Sequence, residues 1–353
     1  MLVKQGTKIF TISLRTSQNP ELMNLKERIE SFAKLGERIN ALKEDEVKKY
    51  ASIARHENAW FTDSNVKMAF DGMAAMLERE KLNKWLLPYN INNEVPSIIG
   101  IVMAGNIPMV GFHDLLSVLV SGHYAAVKTS NKDSFLVKLI IEWLIEIAPG
   151  FKKNISIRDR LTNIDAVIAT GSDNTARYFH FYFGKVPNII RKNRVSVAIL
   201  DGTESREELA ALGNDVFSYF GMGCRNVSKV FFPVGYDVKH ILDAFAVYES
   251  VGDNHKYRNN YDYHKSIYLI NKTPHLDSGF LLWRETAELV SPLTVLYAES
   301  YEKKHSLTEK LKAIDTKVQC KVGHDFIPFG QAQHPEPWDY ADDIDTIKFL
   351  STI

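Results

Sequence analysis

Apolar residues recur at spacings of three and four through the first quarter of the chain, then give way near residue 94 to short apolar runs divided by polar breakers. From about residue 22 to 86, the set Leu25, Ile29, Phe32, Leu35 and Ile39, and a second set from Val66 onward, predict a charged, solvated layer of helices laid on something else. Beyond it the pattern alternates. Residues 96–103 read as a strand, 113–121 as a helix, 124–127 as a strand and about 133–147 as a helix. Further strands follow at 166–169 and 195–200. Strands alternating with helices predict an α/β fold with a parallel sheet and right-handed crossovers.

A second pattern occupies residues 205–232. Ser205 and Glu208 have capping-box spacing, and Leu209, Leu212, Val216 and Phe220 make one apolar helical face. Gly221 and Gly223 are placed to leave the helix with positive φ, and 228–234 reads as a short buried strand. Cys224 lies in the turn between. A free cysteine is commonly a small buried hydrophobe, but here the flanking glycines offer little bulk to bury it and Arg225 is a neighbouring cation. Cys320 lies in a segment that alternates like a strand and reads as core, which leaves Cys224 as the candidate nucleophile.

Composition narrows the class. The chain has 353 residues, 45% hydrophobic, with 43 Lys plus Arg against 43 Asp plus Glu. That balance gives no global charge to attract nucleic acid or an anionic membrane. Two cysteines argue against a disulfide scaffold, and no Cys/His spacing suggests a metal site. The N-terminus lacks the apolar core of a signal peptide, and no apolar run reaches the roughly 18 to 20 residues of a membrane span, so a soluble cytoplasmic protein is expected.

The polar motifs AGNIP, KTSN and TGSDN fall at predicted strand ends, where ligands bind in parallel sheets. There is no GxGxxG. TGSDNTAR suits either phosphate binding at a helix start or an ordinary helix cap. Alone, Lys128 reads as a surface lysine and Asn106 as a turn residue, and His113 and His123 read as structural.

With AGNIP, VKTSN, ATGSDNTAR and GMGCRNVSK in order along one chain, the sequence resembles the aldehyde dehydrogenase superfamily. More closely, it is similar to the acyl-CoA reductases related to the fatty acid reductase subunit of bacterial luminescence, from about residue 95 to the end. The resemblance implies a parallel-sheet cofactor-binding domain plus an α/β catalytic domain. On it, residues 1–90 form a helical layer of the cofactor domain and 91–204 the dinucleotide-binding domain. Residues 205–330 are then the catalytic domain, and 331–353 a return to the first domain or an oligomer contact.

The resemblance also implies roles. Cys224 would attack an acyl thioester, and Asn106 with the Cys224 backbone N–H would hold the oxyanion. Lys128, with Thr129 and Ser130 alongside, would contact the cofactor ribose. Gly171 and Ser172 would meet the pyrophosphate and nicotinamide, and Glu288 would hold the nicotinamide ribose. Pro328, Phe329 and Gly330 match a segment near the active site. Two departures matter. Arg191 stands where hydrolytic members carry the glutamate that activates water, which favours reduction of a thioester to an aldehyde. Asn131 follows KTS where NAD-preferring members often carry glutamate; with Lys132 close by, this favours NADPH.

The expected activity is therefore NADPH-dependent reduction of an acyl-CoA or acyl-carrier-protein thioester, the long acyl chain being implied by the resemblance alone. A homo-oligomer is expected. The chain is shorter than typical members, which suggests that N-terminal and oligomerisation elements are missing. Two alternatives stay open: a cysteine acyltransferase or thioesterase without redox cofactor, using a histidine such as His255 or His264, and a non-catalytic partner subunit.

Overall fold

Asn24 opens the first helix with a capping box: its side chain accepts from the Glu27 N–H while the Glu27 carboxylate accepts from the Asn24 N–H. The helices of this layer are α1 (Leu25–Asn40), α2 (Glu44–Glu57), α3 (Asp63–Met76) and α4 (Arg79–Leu86). In this computed structural model, which describes residues 23–91 and 95–353, the expected stripe of Ile29, Phe32, Leu35 and Ile39 is buried. The N-terminal stretch read as lacking a leader, and residues 92–94 where the pattern changes, lie outside the described residues.

That stripe packs on a parallel sheet. Its elements are β1 (Ile98–Val102), α5 (Phe112–Val120), β2 (Tyr124–Lys128), α6 (Phe135–Ile147), β3 (Ile155–Ile157), β4 (Ala166–Thr170), α7 (Asp173–Phe183) and β5 (Asn188–Arg191). The strand order is β3-β2-β1-β4-β5, every pair parallel. Ile99 and Ile101 of β1 share one core with Phe32, Leu35, Phe70 and Trp85 of the helical layer. β3 and β5 escape the sequence pattern because both are short edge strands; β3 has three residues, none of them fully buried.

A second sheet comes next, built from β6 (Val195–Ile199), α8 (Arg206–Phe217), β7 (Val227–Pro233), α9 (Lys239–Phe245), α10 (His255–Ile270), β8 (Leu276–Asp277), β9 (Leu282–Glu285), β10 (Val295–Tyr301), α11 (Lys304–Ile314) and β11 (Val318–Val322). Its order is β11-β6-β7-β10-β9-β8, parallel except for the antiparallel β8–β9 pair. The strand at 195–200, read in series with those of the first sheet, instead pairs with β7 and β11. Only Lys192, Asn193 and Arg194 separate it from β5, and parallel neighbours in one sheet need a crossover of about a dozen residues or more. So short a link carries the chain from one sheet to the next.

The chain ends by returning to the first sheet's helices. The Tyr340 hydroxyl accepts from Trp85 Nε1 at 2.7 Å, and Ile347 and Leu350 of α12 (Thr346–Leu350) join the first core. His113 Nε2 donates to Pro337 O at 2.8 Å and His123 Nε2 to Leu350 O at 3.0 Å, so both histidines pin this segment. Among the described residues, no helix is long and apolar enough to cross a membrane.

Candidate active site

The cysteine turn begins where α8 stops. Its capping box forms as expected, and Leu209, Leu212 and Val216 are buried. Phe220 does not extend that face, because the helix ends at Phe217. Tyr219 (φ 51°) and Phe220 (φ 57°) are left-handed ahead of Gly221 (φ 79°), whereas Gly223 is not. Two aromatic residues thus occupy the conformation expected of the glycines, at a steric cost that packing must offset. Phe220 is held between Trp60, at 5.2 Å between ring centroids, and Tyr257, at 6.0 Å. Buried Asn226, which the sequence pattern does not single out, stitches the turn. Its Oδ1 accepts from Gly223 N–H at 2.7 Å and its Nδ2 donates to Ser218 O at 2.8 Å.

Solvent reaches Cys224, yet the protein around its thiol pushes the pKa up. The Arg225 charge opposes that shift without overcoming it. Arg225 itself donates to Asp339 O at 3.1 Å, in the returning segment. Cys320 is buried as expected, its Sγ 2.9 Å from the Ser196 hydroxyl, which also lies 3.0 Å from Cys224 O.

The loop after β1 faces this turn. Gly105 is required by close approach: a Cβ there would lie 2.6 Å from Ser130 Oγ. Asn58 Nδ2 donates to Gly105 O at 2.9 Å. The next residue, Asn106, is exposed, and its Nδ2 donates to Met222 O at 2.8 Å. The structure therefore brings Asn106 against the turn that carries Cys224.

Asp133 holds the far end of the same loop, accepting the N–H of left-handed Met109 (φ 57°) at 2.7 Å. Burial raises its pKa from 3.8 to about 7, the Met109 N–H opposing and Glu57 assisting. The folded protein thus binds this proton more tightly than the unfolded chain does. Stability should fall as pH rises from about 4 to about 7, by at most about 4 kcal/mol. Thermal melts across that range should show the slope, and Asp133→Asn should lessen it, the buried Asp215 contributing in the same direction; an unchanged slope would place the effect elsewhere.

The remaining motifs line the same sheet edge. Lys128 ends β2 and is exposed, Thr129 and Ser130 are half-buried, and Asn131 and Lys132 are exposed. Ser172 caps α7, accepting from Thr175 N–H at 3.3 Å, so the helix-cap reading of TGSDN describes this contact. A Cβ on Gly171 would meet Thr175 and Phe179 at 3.0 to 3.1 Å. The chain runs from β1 to β2 on one side and returns to β4 on the other, so these ends surround the sheet's switch point, where parallel sheets bind ligands.

Glu288 lies apart, on the loop between β9 and β10, its carboxylate accepting from the Tyr297 hydroxyl at 3.1 Å. Among the described residues, no hydrogen bond joins it to the first sheet's motifs. Pro328, Phe329 and Gly330 run beside α8, where the fully buried Asp215 accepts from Gly330 N–H at 2.6 Å and Ala332 N–H at 2.9 Å. Burial pushes Asp215 up to about 6, those two amides opposing.

Arg191 is only 4% exposed and donates to both Asp114 oxygens at 2.6 Å and to Thr346 at 3.1 Å. Its charge is spent on α5 and α12. His255 and His264 lie on α10, and among the described residues no hydrogen bond links either to Cys224. At the carboxyl ends of β6 and β11, His324 sits 3.1 Å from Asp201 and 3.0 Å from Glu208, both of which raise its pKa. Asp201 and Glu204 sit three residues apart, and folding brings His324 to them from far along the chain, so no local spacing announced this cluster.

No protein-family model matches the chain, and no curated protein sequence is significantly similar to it. Solved structures are similar. An aldehyde dehydrogenase from Bacillus cereus, in complex with NAD+, is 13% identical with a TM-score of 0.60, the match covering 85% of this chain and 72% of that one. The NADP-dependent glyceraldehyde-3-phosphate dehydrogenase of Bacillus halodurans, complexed with NADP, is 14% identical, also at 0.60, covering 85% and 74%. The indole-3-acetaldehyde dehydrogenase AldA of P. syringae is 11% identical at 0.61, covering 82% and 70%. This chain therefore has the aldehyde dehydrogenase fold.

Proposed function

We propose that this protein is a nicotinamide-dependent aldehyde oxidoreductase working as an acyl thioester reductase, with NADPH as reductant and an acyl-CoA or acyl-carrier-protein thioester as substrate. The observation that carries the reading is the Asn106–Met222 hydrogen bond. It sets a side-chain amide of the first sheet beside the nucleophile turn of the second, as an oxyanion site built across two sheets requires. The neighbours bound to NAD+ or NADP support a nicotinamide cofactor.

The residues at the switch point fit such a cofactor. Without a side chain at Gly171 the backbone passes close to α7, whose N-terminus favours an anionic group. Lys128, Thr129 and Ser130 would hold the ribose, and Gly171 and Ser172 the pyrophosphate. With Asn131 in place of a carboxylate and Lys132 exposed nearby, a 2′-phosphate would meet no carboxylate at position 131. Glu288 would hold the second ribose. When bound, the cofactor supplies the hydride.

The chain's own residues do the rest. The Cys224 sulfur attacks the thioester carbonyl, and Asn106 Nδ2 with the Cys224 N–H holds the negative oxygen while the donor thiolate leaves. The raised thiol pKa slows this first step at neutral pH and favours mildly basic conditions. Arg191 bears on the lifetime of the acyl-enzyme. On the resemblance it takes the place of a hydrolytic glutamate, and, committed to Asp114, it offers water no base, so the acyl group would stay on sulfur until it is reduced. Collapse of the reduced adduct then returns the Cys224 thiol and frees the aldehyde. Asn106→Ala should lower turnover about 100- to 1000-fold while Cys224 still alkylates at its normal rate.

The test is a two-part assay with a panel of acyl-CoA thioesters. Aldehyde formation that requires both thioester and NADPH supports the reading. Free acid and coenzyme A released without NADPH would favour the thioesterase alternative.

A further inference from the structure

A lysine lies inside the apolar strand that leaves the nucleophile turn. Lys229 of β7 is 1% exposed, and burying an ammonium group is costly unless every proton finds an acceptor. Here all three do. Lys229 Nζ donates to Thr286 O at 2.9 Å, to Glu288 O at 3.1 Å, and to the Glu299 carboxylate, whose other oxygen accepts from Lys310. Its neighbour Ser228 grips the same loop farther along, its hydroxyl donating to Leu289 O at 3.1 Å and accepting from Ser291 N–H at 2.7 Å. The ladder partner of Lys229 on β10 is Tyr297, whose hydroxyl donates to the Glu288 carboxylate. Glu288 is thus held at its carbonyl by Lys229 and at its carboxylate by Tyr297.

We infer that Lys229 is a positioning residue that sets Glu288, and with it the cofactor-facing edge of the 286–291 loop, relative to Cys224. One strand then fixes both: the turn at its start carries the nucleophile, and five residues on it carries the lysine that anchors the loop. This placement explains why a charged side chain occupies a strand that also buries Val227, Val230, Phe231 and Phe232, where a hydrophobe would pack at lower cost. An apolar residue cannot hold two carbonyls of an irregular loop in fixed positions. The inference rests on the proposed reading of Glu288 as a cofactor contact.

The experiment compares wild type, Lys229→Met, Lys229→Arg and Ser228→Ala in the full chain. Fluorescence titration with NADPH and with NADH gives cofactor affinity, and the iodoacetamide reaction rate reports Cys224. Lys229→Met should weaken cofactor binding about tenfold, with the alkylation rate of Cys224 within about twofold of wild type. Lys229→Arg should recover part of the loss. Hydrogen exchange at the 286–291 amides should quicken in Lys229→Met and not at α8. Ser228→Ala, which leaves the strand's charge untouched, should give a smaller loss of the same kind and keeps the test decisive if Lys229→Met misfolds. Unchanged cofactor affinity in both Lys229→Met and Ser228→Ala would overturn the inference, as would equal losses of affinity and Cys224 reactivity. Failure of wild type to bind either cofactor would instead overturn the functional reading beneath it.

Discussion

Cys224→Ser is expected to lower thioester-dependent aldehyde formation by at least about a thousandfold while leaving cofactor binding intact. A serine hydroxyl is far from ionised at neutral pH, and no base stands ready for it. Among the described residues no histidine hydrogen-bonds to residue 224, and neither His255 nor His264 is placed by a contact to serve. A thiol, even one whose pKa the surrounding protein pushes up, still supplies a small thiolate fraction and an intrinsically strong nucleophile. Cys320→Ser is the control. That thiol is buried against Ser196, so its loss should leave turnover within a few-fold of wild type.

The second large effect is on stability. Arg191→Met should destabilise the fold by about 3–5 kcal/mol, because it strands the Asp114 carboxylate in the core without the Nη1 donor that meets both its oxygens. Urea denaturation measures this directly. Combining Arg191→Met with Asp114→Leu should restore most of the loss, since a buried pair replaced as a whole costs little. Were Arg191 instead a group that acts on the thioester, the single variant would lose activity at wild-type stability. That result would show Arg191 free to meet the thioester rather than committed to Asp114.

Much of this architecture was legible in the chain. The helical stripe from Leu25 to Ile39, the strands at the carboxyl ends of which the polar motifs fall, and the Ser205 capping box all rest on local periodicity or capping chemistry, which a sequence displays openly. The division into two sheets was not displayed. It turns on three residues, 192–194, too few for a crossover, and that limit is felt only once β5 is seen as a strand.

The site divides the same way. Polar motifs at strand ends drew attention to the stretches holding Asn106, Lys128 and Gly171, and the resemblance gave those residues their roles, whereas the groups that hold the loops in place were hidden. Asp215 carried a signal, being a charged residue on the buried face of α8 beside Leu212 and Val216, and Lys229 carried another, a cation inside an apolar strand. Asp133, Asn226 and the His324 cluster gave none, because their partners are backbone amides or residues brought close only by folding. The left-handed Tyr219 and Phe220 run against local preference altogether. Tertiary contacts with Trp60 and Tyr257 decide them.

Intact-protein mass spectrometry after incubation with an acyl-CoA panel, followed by an NADPH chase, would follow the acyl group on Cys224 itself. One acyl adduct per chain is expected, absent from Cys224→Ser, stable without NADPH and discharged as aldehyde when NADPH is added. An adduct that hydrolyses on its own to the acid, or one that forms equally well without Cys224, would contradict that expectation.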